Sequence, residues 1–443
     1  MPESPNTPAP EAPLPAAMVL RLFVAATIGG ALTGLVGGAF RLALEAASRA
    51  RDALVAHAHT LESMGWLLPV AGAALAAGIA RLLVRFAPLA GGSGIQYVEA
   101  IARGIVQPRL HALVIPVKFV GGVLSMGGGL ALGREGPTVQ MASRVGALLA
   151  WATRLAQEEA RMLRTAMAGA GLGVAFNAPL GGVVFVFEEL WRGFPVRLVA
   201  CTLIAGAVSI TVARLLLGNH ADFPVGTVPL PPSLTLIPAL LMGATLGLVG
   251  ALYNKVTIES IVAFQAWRVP PELRAALVGA LVGLVAWYWP SVVGSGENLV
   301  VTLLADAALM PVTGMLVLLA LRSVLSPLSY ATGAPGGLFA PMLVLGAFAG
   351  AIGIRLLDTL GLGFGMSPTG AVLVGMTAFF AAVVRSPVTG IALVTEMALN
   401  NTFLVPMLAA CFAAVAVAEL CGVKPIYDSL IERIPELQHE LKP

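Results

Sequence analysis

The residue of this chain best placed to do chemistry is a carboxylate between glycines. Glu135 lies in Gly133-Arg134-Glu135-Gly136-Pro137, within a long apolar stretch. A charge at membrane depth is costly, and its default reading is functional. The flanking glycines let the backbone approach a ligand closely, and Pro137 suits the first turn of a helix. The largely apolar run 138–151 is predicted to be that helix. Glu135 then sits at a helix N-terminus, where backbone N–H groups and the helix dipole favour an anion. A place that holds its own carboxylate also suits a free anion.

A second acidic pair, Glu188-Glu189, follows Phe185-Val186-Phe187 and precedes Trp191-Arg192. The residues alone leave two readings open. The pair either serves proton transfer or ends a helix at the membrane interface, with Trp191 and Arg192 as the anchor. Hydrolysis with Ser93 as nucleophile would need a general base in reach. His111 is the only nearby histidine, and no Asp/His pair accompanies it. The five histidines and the three cysteines lack metal-ligand spacing. No metal, no cofactor and no enzymatic activity is expected.

The elements that must position these carboxylates are set by composition. Mean hydropathy is +0.90 and 11% of residues are charged, against roughly 25% in soluble domains. Segments of about 20 mostly apolar residues follow one another, each long enough to cross a bilayer. The expectation is an all-α, multi-pass protein of the cell membrane (the inner membrane in a Gram-negative cell). The 50 glycines fit close helix packing and interrupted helices. A net charge of +3 is too small to imply nucleic acid and fits a modest Lys/Arg bias on cytoplasmic loops. Residues 1–16, rich in Pro and Ala, read as a disordered cytoplasmic tail, and both termini are expected in the cytoplasm.

The chain also repeats itself. Gly92-Ser93-Gly94 recurs as Gly294-Ser295-Gly296, and Gly133–Pro137 is echoed by Gly337-Leu338-Phe339-Ala340-Pro341. Asn177-Ala178-Pro179, leading to Glu188, is echoed by Arg385-Ser386-Pro387, leading to Glu396. The order is kept and the offset is nearly constant. The expected division is a first transmembrane repeat over 17–217, a linker over 218–232, and a second repeat with a C-terminal helix over 233–443. Such repeats place a binding site at their interface, between broken helices whose N-termini face an anion. An inverted relation is favoured over a parallel one.

These motifs together resemble the CLC family of chloride channels and transporters, over roughly residues 20–430. Gly92-Ser93-Gly94-Ile95-Gln96 is similar to the family's GSGIP, Gly133–Pro137 to GREGP, and Gly336–Pro341 to its GxFxP region. Lys424-Pro425-Ile426-Tyr427 is similar to the segment with the anion-binding tyrosine. The resemblance is to bacterial members without C-terminal regulatory domains. It implies a homodimer in the lipid bilayer with one anion pathway per subunit. The Ser93 and Tyr427 hydroxyls would hold chloride with the backbone N–H groups of Leu338 and Phe339. Such neutral donors bind an ion weakly enough to release it. Glu135 would be the gating glutamate, with Arg134 and Gly136 at the anion entrance. Gln96 departs from the family's usual Pro. Retention of Ser93 favours chloride over nitrate and makes fluoride the less expected substrate.

The same resemblance bears on mechanism. Glu189 aligns with the family's internal proton glutamate, where channel members carry an apolar residue, so chloride/proton antiport is expected ahead of a passive chloride channel. Glu188 would help hydrate the approach to Glu189. The buried charges Glu99 and Lys118 are expected to pair with each other, since a lone buried charge is costly. Glu297, Asp306 and Glu396 are expected at helix ends or in interhelical hydrogen bonds, and Phe379 and Phe380 in packing.

Overall fold

Apolar sequence with regular breaks folds here into long spans and short half-helices. The computed structural model of the chain describes residues 15–61, 63–107, 111–219, 221–226, 228–306 and 310–434. The expected disordered tail falls almost wholly outside them. The first half contains α1 (Ala16–Ala58), α2 (Leu67–Leu83), α3 (Ile95–Ala102), α4 (Val114–Gly127), α5 (Glu135–Ala152), α6 (Gln157–Phe176), α7 (Pro179–Phe185) and α8 (Val196–Leu217). The second contains α9 (Leu236–Ala266), α10 (Pro271–Tyr288), α11 (Glu297–Asp306), α12 (Val312–Ala331), α13 (Phe339–Thr359), α14 (Pro368–Val384), α15 (Pro387–Ala398), α16 (Leu404–Leu420) and α17 (Ile426–Ile431). Six of the helices among the described residues are long and apolar enough to cross a membrane: α1, α8, α9, α10, α12 and α13. Large apolar side chains left on the outside, such as Leu215, Phe412 and Leu420, suit a lipid surround.

The two halves have the same packing. α1 packs on α8 as α9 packs on α16, and α5 packs on α6 as α13 packs on α14. α2 lies against its own counterpart α10, and α7 against α15. Elements that touch their own counterparts flank a two-fold axis. The axis passes between Gly133 and Gly337, which form an isolated antiparallel bridge. Gly133 N–H donates to the Gly337 carbonyl at 2.9 Å, and Gly337 N–H donates to the Gly133 carbonyl at 2.7 Å.

The relation is inverted. Gly92 and Gly94 line a cleft together with Pro271 and Arg274, at the start of α10. Their counterparts Gly294 and Gly296 line another cleft with Pro290, just past the end of α10. An 18-residue helix separates its ends by about 27 Å. Equivalent loops therefore open on opposite faces. Gly94 and Gly296 both have positive φ, 84° and 83°, the left-handed turn that launches α3 and α11 and that glycine adopts without strain.

Each of these loops is held by a buried cation. Lys118 Nζ donates to the carbonyls of Ala90 at 3.1 Å and Gly92 at 2.7 Å. Arg322, its counterpart, donates to Val292 at 2.9 Å, Gly294 at 2.7 Å and Ser295 at 2.6 Å. The expected Glu99–Lys118 pair does not form. Glu99 instead meets Arg103 at 3.0 Å and Arg192 at 3.3 Å. Loop carbonyls have no helical partner, so an ammonium buried beneath the turn is satisfied by them and needs no carboxylate.

Candidate functional site

The breaks in the helices converge on Glu135. It is the first residue of α5 and is fully buried. Its Oε1 accepts the Phe339 N–H at 2.6 Å, so the carboxylate lies as an anion on the N-terminus of α13. The close approach explains the glycines. A Cβ on Gly133 or Gly337 would strike the Glu135 carboxylate, and one on Gly136 would meet Ser93. Gly136 thus brings the Ser93 loop against the start of α5.

Ser93 and Tyr427 complete the arrangement. Both are fully buried, and neither hydroxyl has a hydrogen-bond partner. The Tyr427 hydroxyl faces that of Ser93 and lies within electrostatic reach of both Glu135 and Glu189. Buried polar groups are normally satisfied. Two buried hydroxyls facing each other beside a helix N-terminus are donors of the kind that suits a small anion, with no full positive charge among them. The Phe339 ring closes one side, stacked on Phe176, edge-on to Phe185 and Phe380, and tilted against Tyr427. Leu338 caps α13 one residue earlier and is buried as well. Phe379 and Phe380 are buried in α14, and Phe379 packs edge-on against Tyr253.

Glu189 stands on a different helix break. Residues Val186–Leu190 form a π-helical turn after α7, closed by the Trp191 N–H donating to the Val186 carbonyl at 2.8 Å. Single π turns inside helices often mark functional positions. Glu189 is 3% exposed. Ser386 Oγ donates to its Oε2, while its Oε1 has no partner.

Glu188, expected beside Glu189 on a proton route, is engaged elsewhere. Its carboxylate accepts the N–H groups of Val388 at 3.0 Å and Thr389 at 2.6 Å, and the Thr389 hydroxyl at 2.7 Å. It is a cap for α15. Its counterpart Glu396 caps α7 in return, accepting from Leu180 at 3.1 Å and Gly181 at 2.7 Å. The expectation that Glu396 makes interhelical hydrogen bonds is met.

On the opposite face from α17, Arg134 is buried and largely neutralised. It meets Asp222 at 3.1 Å and Glu297 at 3.2 Å and donates to the Ala175 carbonyl at 2.8 Å. It borders a cleft of about 760 Å³ in which Arg41, Arg49 and Arg51 alternate with Glu45 and Asp52. Sequence reasoning missed the network of Glu99, Arg103, Arg192 and Asp428, which ties α3, behind Ser93, to α17, which carries Tyr427. The acidic residue directly after Tyr427 was its only sequence signal. Among the described residues no group of three or more His, Cys, Asp or Glu could hold a metal.

Inverted repeats, broken helices and a central set of uncharged donors define a membrane anion transporter. The family model described as voltage gated chloride channel matches residues 72–419, and the chain belongs to that family. The H(+)/Cl(-) exchange transporter ClcA of Yersinia pestis bv. Antiqua (strain Angola) is 36% identical over 433 residues, which is 96% of this chain and 90% of that one. ClcA of Vibrio parahaemolyticus serotype O3:K6 is 37% identical over 427 residues, 93% of this chain and 89% of that one. Among solved structures, a slow cyanobacterial Cl−/H+ antiporter superposes with a TM-score of 0.89 at 30% identity, covering 95% of this chain and 99% of that one.

Proposed function

We propose that the chain exchanges chloride for protons across the cell membrane, with Glu135 as the gate shared by the two ions. The observation that carries this reading is the Glu135 carboxylate on the Phe339 N–H. An ionised Glu135 takes a donor that an anion would use. A protonated Glu135 is a poor acceptor, releases that donor, and leaves room for chloride. One side chain thereby makes proton binding and anion binding linked events. Ser93, Tyr427 and the N–H groups at Leu338 and Phe339 hold the ion. Relatives named as H(+)/Cl(-) exchangers over nearly the whole chain support exchange over a passive channel.

Glu189 is the internal proton acceptor in this reading. Burial, a carboxylate oxygen without a partner, and the proximity of Tyr427 to both Glu189 and Glu135 support it. Glu188 serves as a helix cap, since its carboxylate is already engaged by α15. Arg134 and Gly136 flank the entrance, Arg134 with little net field and Gly136 as the contact that admits the Ser93 loop. Family membership supports two further parts of the reading: assembly as a homodimer, and placement in the cell membrane (the inner membrane where the cell is Gram-negative) with both termini cytoplasmic.

Purified protein in liposomes tests the mechanism. A chloride gradient should drive protons against their own gradient. Chloride flux without any proton movement would leave a passive channel instead. The rate of exchange should rise as pH falls, because protonation frees the Phe339 N–H, and Glu135→Gln should flatten that dependence.

A further inference from the structure

The two clefts on opposite faces have opposite electrostatic characters. In the cleft beside Ser295, carboxylates use up the positive charge. Asp222 meets Arg41 at 2.5 Å and Arg134 at 3.1 Å, Glu297 meets Arg134 at 3.2 Å, and Asp52 meets Arg51 at 2.9 Å. The cleft on the α17 face, of about 270 Å³, has Arg81, Arg274 and Arg433 on its walls and no carboxylate in its lining. Among the described residues none of these three arginines makes an ion pair. Glu272, two residues before Arg274, is held by Arg85 through two bonds of 2.7 Å.

The walls carry other marks of a site. Arg274 Nε and Gln96 Oε1 are buried without hydrogen-bond partners. Gln96 supplies a side-chain amide where the family pattern has Pro. Arg274 lies in the first turn of α10, so the positive end of that helix adds to the same field. Gly92 and Gly94, on either side of Ser93, form part of the floor.

A chloride ion does not need this construction. Chloride suits the neutral donors at Ser93 and Tyr427, and it would fill only a small part of the cleft. Guanidinium groups present planar forks of donors that match oxyanions, and several around one cavity match an anion with several phosphoryl groups. We propose that the cleft formed by Arg81, Arg274 and Arg433 binds a phosphate-chain anion, which then stands over the Ser93 loop and slows chloride access from the α17 face. The binding is independent of the exchange reading; the slowing of chloride rests on it.

Calorimetric titration of the full-length protein in detergent separates the two parts. Inorganic triphosphate should bind saturably and more tightly than inorganic phosphate. The double variant Arg274→Gln/Arg433→Gln should weaken triphosphate binding by at least about tenfold, having lost two forks. Arg433→Gln alone, outside the long spans, should weaken it less, and it serves if the double variant fails to fold. Arg51→Gln, on the wall of the cleft on the opposite face, should bind as the unaltered protein does. ATP binding more tightly than inorganic triphosphate would assign the apolar wall of Ile261 and Leu430 to a nucleoside, and equal binding would assign the site to the phosphate chain alone. In liposomes, triphosphate on the α17 face should slow chloride flux in the unaltered protein and not in the double variant. Absence of saturable binding, or equal binding by Arg433→Gln and the unaltered protein, overturns the proposal. Absence of chloride flux before triphosphate is added would count against the exchange reading instead.

Discussion

Glu135 and Phe339 occupy the same position in the two repeats, each the first residue of its helix and two residues after a bridging glycine. The backbones around them are related by the two-fold axis, but their chemistry is not. The first repeat contributes a carboxylate, and the second contributes the N–H that receives it and the ring that seals it. The same contrast recurs at the π turn, where Glu189 in the first repeat corresponds to Met397 in the second. Symmetry builds the cavity, and substitution within a symmetric frame makes it directional. The titratable groups of the proposed mechanism all come from one repeat, and much of the backbone proposed to bind charge comes from the other.

The largest effects should come from removing that asymmetry. Glu135→Gln keeps the shape of the side chain and cannot ionise, so proton movement should fall to that of empty liposomes while chloride still passes. Glu189→Gln should likewise abolish proton movement with chloride flux retained. Met397→Leu, at the equivalent place, should leave both fluxes as they were. Parallel pH-electrode and chloride-electrode recordings distinguish these cases. If Glu189→Gln still pumps protons, the directional reading of the first repeat fails.

The symmetric parts predict the next effects. Lys118 and Arg322 do the same task for their loops, but Lys118 satisfies two carbonyls and Arg322 three. Each carbonyl orphaned on replacement by Met costs about 1–3 kcal/mol. Arg322→Met should therefore lower the thermal unfolding midpoint in detergent more than Lys118→Met does. Equal shifts would mean that neighbouring donors, such as the Gly336 N–H already on Gly92 O at 3.0 Å, compensate on both sides.

How much of this was legible in the sequence depends on the range of each interaction. Glu135 could be read because its whole setting is local: two glycines, a following proline and an apolar run specify a helix start within a few residues. The repeat was legible because its motifs keep their order, but its inversion was only favoured, since parallel and inverted repeats share that order. The partner of Lys118 was not, because a buried ammonium between loop carbonyls leaves no charge pattern to match, and the nearest acid in the motif was the wrong partner. The π turn at Glu189 was equally hidden, since a single extra residue in a helix alters no periodicity over so short a segment. The arginine cleft gathers residues from the ends of α2, α10 and α17, which only the packing of the spans brings together.

The smallest predicted effect bears most directly on which carboxylates work and which only hold. Glu188 and Glu396 cap each other's helices across the axis, so each should contribute a cap's worth of stability, about 1 kcal/mol. Glu188→Gln should lose slightly more than Glu396→Gln, because Glu188 also accepts the Thr389 hydroxyl. A glutamine retains one carbonyl acceptor, which keeps both losses small enough for flux to be measured. Proton coupling should be unchanged in both variants if the pair is structural. A loss of coupling in Glu188→Gln with none in Glu396→Gln would return Glu188 to the proton route beside Glu189. The symmetric pair thus contains its own control: any functional difference between two equivalent caps must come from what lies next to them, and only Glu188 has Glu189 as its neighbour.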